Sequence, residues 1–140
     1  MQEGYAGDLS PAEAWSLLKE DPKAVLVDVR TMPEWNFVGL PRLDGLSKET
    51  ICVSWQVFPG MDMNADFAGE VAARGVAKDQ PVLLICRSGA RSRSAAMALT
   101  AAGFGPCYNV AEGFEGDRNG DLHRGSVGGW KVAGLPWAQG

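Results

Sequence analysis

Residues 81–96 read PVLLICRSGARSRSAA, and they are the part of the sequence that best indicates the fold class. The apolar run 82–85 does not alternate with polar residues, which is typical of a strand buried on both faces of a parallel sheet. A short polar loop, 86–92, follows at once, and an alanine-rich segment that predicts a helix begins at about Arg91. A buried strand that passes through a short loop into a helix indicates an α/β protein with a parallel sheet.

Three further apolar runs have the character of buried strands. They are 24–29 (AVLVDV), 51–55 (ICVSW) and, more weakly, 107–110 (CYNV). Turn-forming or helical segments separate the runs, and no repeat, charge run or linker interrupts the chain. The sequence therefore predicts one domain, residues 1–140, with a mainly parallel sheet and helices on both of its faces.

The helices are bounded by recognisable start and stop signals. Ser10 is a good N-cap, Pro11 suits the first helical position, and Glu13 completes a capping box, so a helix is predicted from there to the Asp-Pro pair at 21–22. A second helix is predicted over 64–73, and a third over 91–102 with a glycine directly after it as the left-handed cap.

Composition and charge exclude several classes of function. The net charge is −4 and the pI is near 4.9, which disfavours nucleic acid as a partner. No apolar run approaches the roughly 18 residues of a membrane span, and the N-terminus does not resemble a secretory signal, so we expect a cytoplasmic protein without a membrane partner.

Three cysteines and one histidine, His123, with no Cys-x-x-Cys pair, predict neither a disulfide framework nor a metal or other cofactor. Cys52 and Cys107 lie in apolar runs and are interpreted as packing residues.

The loop after the strand at 82–85 is the candidate active site. Cys86 would stand at the carboxyl end of the strand, where open α/β sheets bind ligands, and the following helix start would present free N–H groups. Those dipoles and nearby arginines favour the reactive thiolate. A buried core cysteine is the alternative, but the polar loop favours a nucleophile at Cys86. The expected cradle for an anionic substrate consists of Arg87, Ser88, Gly89, Ala90, Arg91 and Ser92.

The loop 86–92 resembles the active-site loop of the rhodanese sulfurtransferases. Two further segments agree in the same order: 27–30 with Glu34-Trp35 resembles the family's Asp-x-Arg…Glu-Phe/Trp stretch, and 129–136 resembles its closing Trp…Gly-Leu-Pro segment. The resemblance implies a rhodanese-like three-layer α/β fold. It also implies a double displacement in which Cys86 takes a sulfane sulfur from a donor such as thiosulfate and passes it to cyanide or a thiol. No cofactor is implied.

Several details follow from the resemblance. Arg87 and Arg91 are the expected contacts of the small anionic donor, whereas Asp28, Arg30 and Glu34 are interpreted as structural support. Two segments depart from the family pattern. Residues 38–43 read VGLPRL in place of a His-Ile-Pro-Gly-Ala-like stretch, which puts donor choice in doubt, and the loop 116–129 is longer than usual.

Two other classes of function compete with a thiosulfate sulfurtransferase. A cysteine-based phosphatase or arsenate reductase resembles Cys-x5-Arg, which would require arginine at position 92, where this chain has Ser92. A carrier fed by a protein sulfur donor, or a rhodanese-like binding module, is the second alternative. Such a carrier would load poorly from free thiosulfate and would exchange sulfur with a protein partner.

Overall fold

The computed structural model describes residues 4–31, 34–35, 38–57, 62–87, 89–116 and 129–138. In chain order the elements are β1 (Gly7–Leu9), α1 (Pro11–Glu20), β2 (Val25–Asp28), β3 (Leu40–Pro41), a 3-10 turn at Asp44–Leu46, β4 (Ile51–Cys52), β5 (Gln56–Val57), β6 (Asp62–Met63), α2 (Phe67–Ala73), β7 (Val82–Ile85), α3 (Ala90–Ala101), β8 (Cys107–Val110) and β9 (Trp137–Ala138).

The main sheet has five strands, all parallel, in the order β1-β8-β7-β2-β4. β7 lies at its centre and is completely buried. Val82 and Leu84 face one side of the sheet, and Leu83 and Ile85 face the other. The predicted α/β class with a parallel sheet is confirmed, and strands 82–85 and 107–110 have the predicted bounds.

Two edge strands differ from the prediction. β4 covers only two of the predicted residues 51–55 and is half-buried, because it pairs with β2 on one side alone. β1, at the other edge, was not predicted at all. It pairs with β8 over only three residues, Gly7–Leu9, and one glycine and one aspartate among them weaken any strand pattern.

α1 covers one face of the sheet. Its start has the predicted capping box: the Glu13 amide donates to Ser10 Oγ at 3.1 Å, and the Ser10 amide donates to Glu13 Oε1 at 2.8 Å. Ala14 and Leu18 turn inward and join the apolar cluster under this face, which includes Trp130.

α2 and α3 cover the opposite face. Buried Ala95, Ala96 and Leu99 let α3 lie close to the central strands. α3 spans Ala90–Ala101, one residue earlier at each end than predicted, and Gly103 follows it with φ +95°. α2 begins only at Phe67, because Asn64 Oδ1 accepts the Asp66 amide in a turn that precedes the helix.

Two small antiparallel pairs complete the described structure. β3 pairs with β9, and β5 pairs with β6. Within the part of the chain that the structure describes, no helix is both long and apolar enough to span a membrane, and no cluster of His, Cys, Asp and Glu suits a metal ion.

Candidate active site

Cys86 follows β7 directly and lies at the carboxyl edge of the sheet, with 1% of its surface exposed. The backbone amide of Gly89 donates to Cys86 Sγ at 3.1 Å. Gly89 is the N-cap residue of α3 and has φ +113°, a conformation that favours glycine and that turns the amide back toward the sulfur. The sulfur is therefore held at a helix N-terminus, where backbone dipoles favour negative charge. Ser88, another predicted cradle residue, lies outside the described residues.

Ser92 makes the second polar contact to the sulfur. Its side chain is fully buried, and Ser92 Oγ lies 3.2 Å from Cys86 Sγ. The same oxygen is close to the Gly89 carbonyl, at 3.3 Å, and to the amide oxygen of Asn109. The position that a Cys-x5-Arg enzyme fills with arginine thus holds a small hydroxyl, which contributes no positive charge to the cradle.

Arg91 lies at the loop but is paired with Glu34. Arg91 Nη1 donates to Glu34 Oε1 at 2.8 Å and Nη2 to Oε2 at 2.9 Å, and both side chains are 18% exposed. Burial alone would raise the pKa of Glu34, but the bonds and charge of Arg91 and the bonds from Thr31 outweigh it and lower this pKa to about 2. The bonds from Arg91 to Glu34 raise the pKa of Arg91, and the nearby Cys86 adds to that shift.

Asp28 and Arg30 form a separate, fully buried ion pair. Arg30 Nε donates to Asp28 Oδ1 at 2.9 Å, and Arg30 Nη2 donates to Asp28 Oδ2 at 2.7 Å and to the Gly39 carbonyl at 2.6 Å. The guanidinium also stacks on the Phe114 ring, 4.4 Å from its centroid. The three predicted support residues therefore do not form one group: the Asp28–Arg30 pair ties the end of β2 to two neighbouring segments, whereas Glu34 pairs with Arg91 of the loop.

The segment after β8 braces the loop from outside. The Phe114 amide donates to the Cys86 carbonyl at 2.8 Å, and the Glu115 amide donates to the Arg87 carbonyl at 3.0 Å. Gly113 has φ +62°, and a Cβ atom there would stand 2.5 Å from the Cys86 carbonyl oxygen. Two predicted cradle residues, Arg87 and Ala90, are exposed. The brace fixes the backbone path of the loop, and glycine permits the close approach.

Sequence reasoning missed Gly113 and Asn109. Gly113 follows a predicted strand closely, but nothing in its neighbourhood indicated what it would pack against. Asn109 carried a usable signal, because it is a polar residue within an otherwise apolar strand, and a buried amide requires hydrogen-bond partners.

The two segments that depart from the family pattern are bonded to site residues through described residues: the Val38 amide donates to the Glu34 carbonyl at 2.9 Å, and the Gly116 amide donates to the Arg87 carbonyl at 3.2 Å. In the segment 38–43, Leu40–Pro41 forms β3, which pairs with Trp137–Ala138 near the end of the chain. The long loop begins and ends at buried positions, and the Gly129 amide donates to Glu112 Oε1 at 2.9 Å. Residues 117–128 of this loop, with His123, lie outside the described residues.

The other two cysteines lack a comparable cradle among the described residues. Burial, and then the charge of Asp28, raises the pKa of the Cys52 thiol to about 12. Burial also raises the pKa of the Cys107 thiol, which lies 3.5 Å from the Phe104 carbonyl oxygen. Burial therefore disfavours the reactive thiolate at both positions.

A parallel α/β sheet with a cysteine loop at a helix N-terminus is the arrangement that the resemblance to the rhodaneses implies. The sequence matches the Rhodanese-like domain family over residues 10–119, and the chain belongs to this family. It is 38% identical over 131 residues to an uncharacterized protein of Rickettsia conorii, covering 93% of this chain and 95% of that protein. An uncharacterized protein of Rickettsia prowazekii is 35% identical over the same length.

Solved structures agree with this assignment. The crystal structure of Rv0390 from M. tuberculosis superimposes with a TM-score of 0.90 at 46% identity, covering 97% of this chain and 99% of that one. The polysulfide-sulfur transferase homodimer of Wolinella succinogenes superimposes with a TM-score of 0.63 at 24% identity, over 98% of this chain and 80% of that one, and this similarity shows the fold alone. The chain has a sulfurtransferase-type fold.

Proposed function

We propose that this chain is a sulfurtransferase that carries a sulfane sulfur on Cys86 as a persulfide. The observation that carries the proposal is the 3.1 Å contact from the Gly89 amide to Cys86 Sγ at the start of α3. An amide and a helix terminus directed at the sulfur stabilise a thiolate, and they would stabilise negative charge on a sulfur adduct as well.

The proposed reaction is a double displacement with no cofactor. The Cys86 thiolate attacks the outer sulfur of thiosulfate, the S–S bond of the donor breaks, and sulfite leaves with the electron pair of that bond. Cys86 is then a persulfide whose terminal sulfur carries the negative charge. A nucleophilic acceptor, cyanide or a thiolate, attacks that terminal sulfur, and Cys86 leaves as the thiolate. Neither step requires a general base when Cys86 is ionised, which fits a described site without histidine.

The Glu34–Arg91 pair supports a second candidate, a carrier loaded by another protein's persulfide. Arg91 donates both outer nitrogens to Glu34, so its charge is largely compensated, and Arg87 is the exposed cation of the loop. A cradle whose arginine is compensated attracts a dianion such as thiosulfate less strongly than a free arginine would. The loss of attraction is smaller for a singly charged persulfide, because the electrostatic energy scales with the charge of the donor. For this second candidate function, the partners are a protein sulfur donor and a thiol acceptor.

The test is a transfer assay with two donors. Purified wild-type protein, Cys86→Ser and Cys107→Ser would be supplied with thiosulfate or with cysteine persulfide, and thiocyanate formed from cyanide would be measured. Transfer by the wild type and by Cys107→Ser, and its loss in Cys86→Ser, supports the proposed function. Faster loading from the persulfide than from thiosulfate favours the carrier. Equal transfer by Cys86→Ser would overturn both candidates.

A further inference from the structure

We propose that Asn109 is a positioning residue for Cys86 and that it acts through the hydroxyl of Ser92. Asn109 lies in β8, 1% exposed, on the face of the sheet that α3 covers, and its amide oxygen accepts the Ser92 hydroxyl. The consequence of this role of Asn109 for sulfur transfer rests on the proposed function of Cys86. The effect of Asn109 on the ionisation of the Cys86 thiol does not depend on that function.

The orientation of the Asn109 amide is set by Asp8. The two residues are directly opposite each other in the parallel pairing of β1 and β8, and Asn109 Nδ2 donates to Asp8 Oδ1 at 3.0 Å. An ionised carboxylate only accepts hydrogen bonds, so the NH2 group must face Asp8 and the amide oxygen must face Ser92. The Tyr5 hydroxyl donates to the same Asp8 oxygen at 3.0 Å and helps to hold it in place.

Ser92 has one hydroxyl proton and three acceptors within reach. They are the amide oxygen of Asn109, Cys86 Sγ at 3.2 Å and the Gly89 carbonyl at 3.3 Å, and the contact to Asn109 is the shortest. When the Ser92 hydroxyl donates to Asn109, the lone pairs of Ser92 Oγ face the sulfur and can accept the S–H of a neutral thiol. With the proton turned toward the sulfur, the hydroxyl stabilises a thiolate and Asn109 loses its donor.

Asn109 therefore competes with the sulfur for the Ser92 proton. When Cys86 ionises, its own proton leaves for solvent, and the Ser92 hydroxyl must turn from Asn109 to the negative sulfur. In a persulfide the negative charge lies on the outer sulfur, so the inner Sγ is a weaker acceptor and the hydroxyl can return to Asn109. The amide of Asn109 thus favours the neutral thiol and the loaded persulfide over the empty thiolate.

Several charged groups surround the sulfur and the Asn109–Ser92 pair. The loop contributes Arg87, α3 contributes Arg91 with its partner Glu34, and β2 contributes Asp28 with its partner Arg30. On the side of β1 the charged groups are Asp8, which is exposed and belongs to the route, and Arg93 of α3, which interacts with Tyr5. Substitution of Asn109 by an uncharged residue changes none of these charges, so its effect can be assigned to the hydrogen bond.

The test is a pH titration of the thiolate absorbance in the ultraviolet, in which Cys86→Ser supplies the baseline for Cys52, Cys107 and the tyrosines. Asn109→Leu removes the acceptor at nearly constant volume, and the midpoint of the Cys86 signal is expected to fall by about 0.5–1 pH unit. In a Ser92→Ala background the same substitution should give no shift, because the intermediary is absent. Equal shifts in both backgrounds, or no shift in either, would overturn the proposal.

Asp8→Asn is the second variant, should Asn109→Leu fail to fold. Asp8 is exposed, and an amide there lets Asn109 turn over and present its NH2 group to Ser92, which again releases the hydroxyl to the sulfur. The shift of the Cys86 midpoint caused by Asp8→Asn should be larger when Ser92 is present than in the Ser92→Ala background. Equal shifts in the two backgrounds would contradict an effect of Asn109 through Ser92. The absorbance signal needs no sulfur transfer. A Ser92-dependent shift in a protein that never loads sulfur would overturn the proposed function alone.

Discussion

Glu34 holds Arg91 by both oxygens of its carboxylate, at 2.8 and 2.9 Å, although the two residues are 57 positions apart in the chain. The pair joins the segment after β2 to the first turn of α3, directly beside the Cys86 loop. It gives the loop a positive side chain whose charge is compensated before any substrate arrives. Donor binding and loop stability are both expected to depend on this pair.

Glu34→Gln should improve the binding of thiosulfate, because it removes the compensating charge and leaves an amide that can still bond to Arg91. We expect the thiosulfate concentration at half-maximal rate to fall about three- to tenfold, and Arg91→Ala to raise it by a larger factor. Steady-state transfer to cyanide measures both. Arg93→Ala, an exposed arginine of the same helix, is the control and should leave the value unchanged. An unchanged value in Arg91→Ala would remove Arg91 from donor binding.

The Glu34–Arg91 pair should also contribute stability that depends on pH. The pKa of Glu34 is lowered to about 2 in the folded protein, against about 4.5 for a free glutamate. A lowered carboxyl pKa stabilises the fold fully above the free value, and the contribution disappears as the pH falls through the folded value. Urea unfolding should therefore show a difference between wild type and Glu34→Gln of about 1–3 kcal/mol above pH 5 that declines between pH 4.5 and 2. A difference independent of pH would contradict this account of the pair.

Gly113→Ala should disrupt the brace behind the Cys86 loop. A Cβ atom at this position would stand 2.5–2.6 Å from backbone atoms of Cys86 and Arg87, and the residue has φ +62°. We expect a loss of about 2–4 kcal/mol in the free energy of unfolding, together with a loss of transfer activity. Gly75→Ala is the matched control, since Gly75 has φ +90° but no atom within 4 Å of the added Cβ. It should cost about 1 kcal/mol, and an equal cost at both positions would show that close packing at Gly113 is unimportant.

Lys48→Met should destabilise the end of α1. Lys48 Nζ donates to three backbone carbonyls, those of Leu18 at 2.7 Å, Asp21 at 2.8 Å and Ala24 at 2.7 Å. Methionine replaces the stem of the side chain but leaves these acceptors without their donor, so we expect a loss of about 1–3 kcal/mol in urea unfolding.

The control for Lys48 is Lys19→Met. Lys19 is exposed in the last turn of α1, and its replacement should cost less than about 0.5 kcal/mol. Comparable losses for the two variants would show that a positive charge near the helix end, rather than the set of three bonds, is what stabilises this corner.

The central elements of the fold could be predicted because their signals are local. The apolar run of β7, the loop at Cys86 and the capping box of α1 each identify themselves within a few residues. β1 could not be predicted, since its three residues form a strand only because β8 lies beside them. The same reason explains the half-buried state of β4, whose exposure depends on its place at the edge of the sheet.

The candidate site divides in the same way. Cys86 and its loop, including Gly89, could be located from residue types in sequence. The assignment of Glu34 to Arg91 could not be predicted, because sequence proximity suggested a trio with Asp28 and Arg30. The contact between Asn109 and Ser92 crosses from a strand to a helix, and only the packing of α3 on the sheet brings these residues together.

The most direct test of the central claim is the intact mass of the purified protein before and after incubation with thiosulfate or cysteine persulfide, followed by peptide mapping. We predict a gain of one sulfur atom that maps to the peptide containing Cys86, that cyanide removes, and that Cys86→Ser does not show. Cys52→Ser and Cys107→Ser should gain the sulfur as the wild type does. A gain that persists in Cys86→Ser, or no gain from either donor, would contradict the assignment of Cys86 as the sulfur carrier.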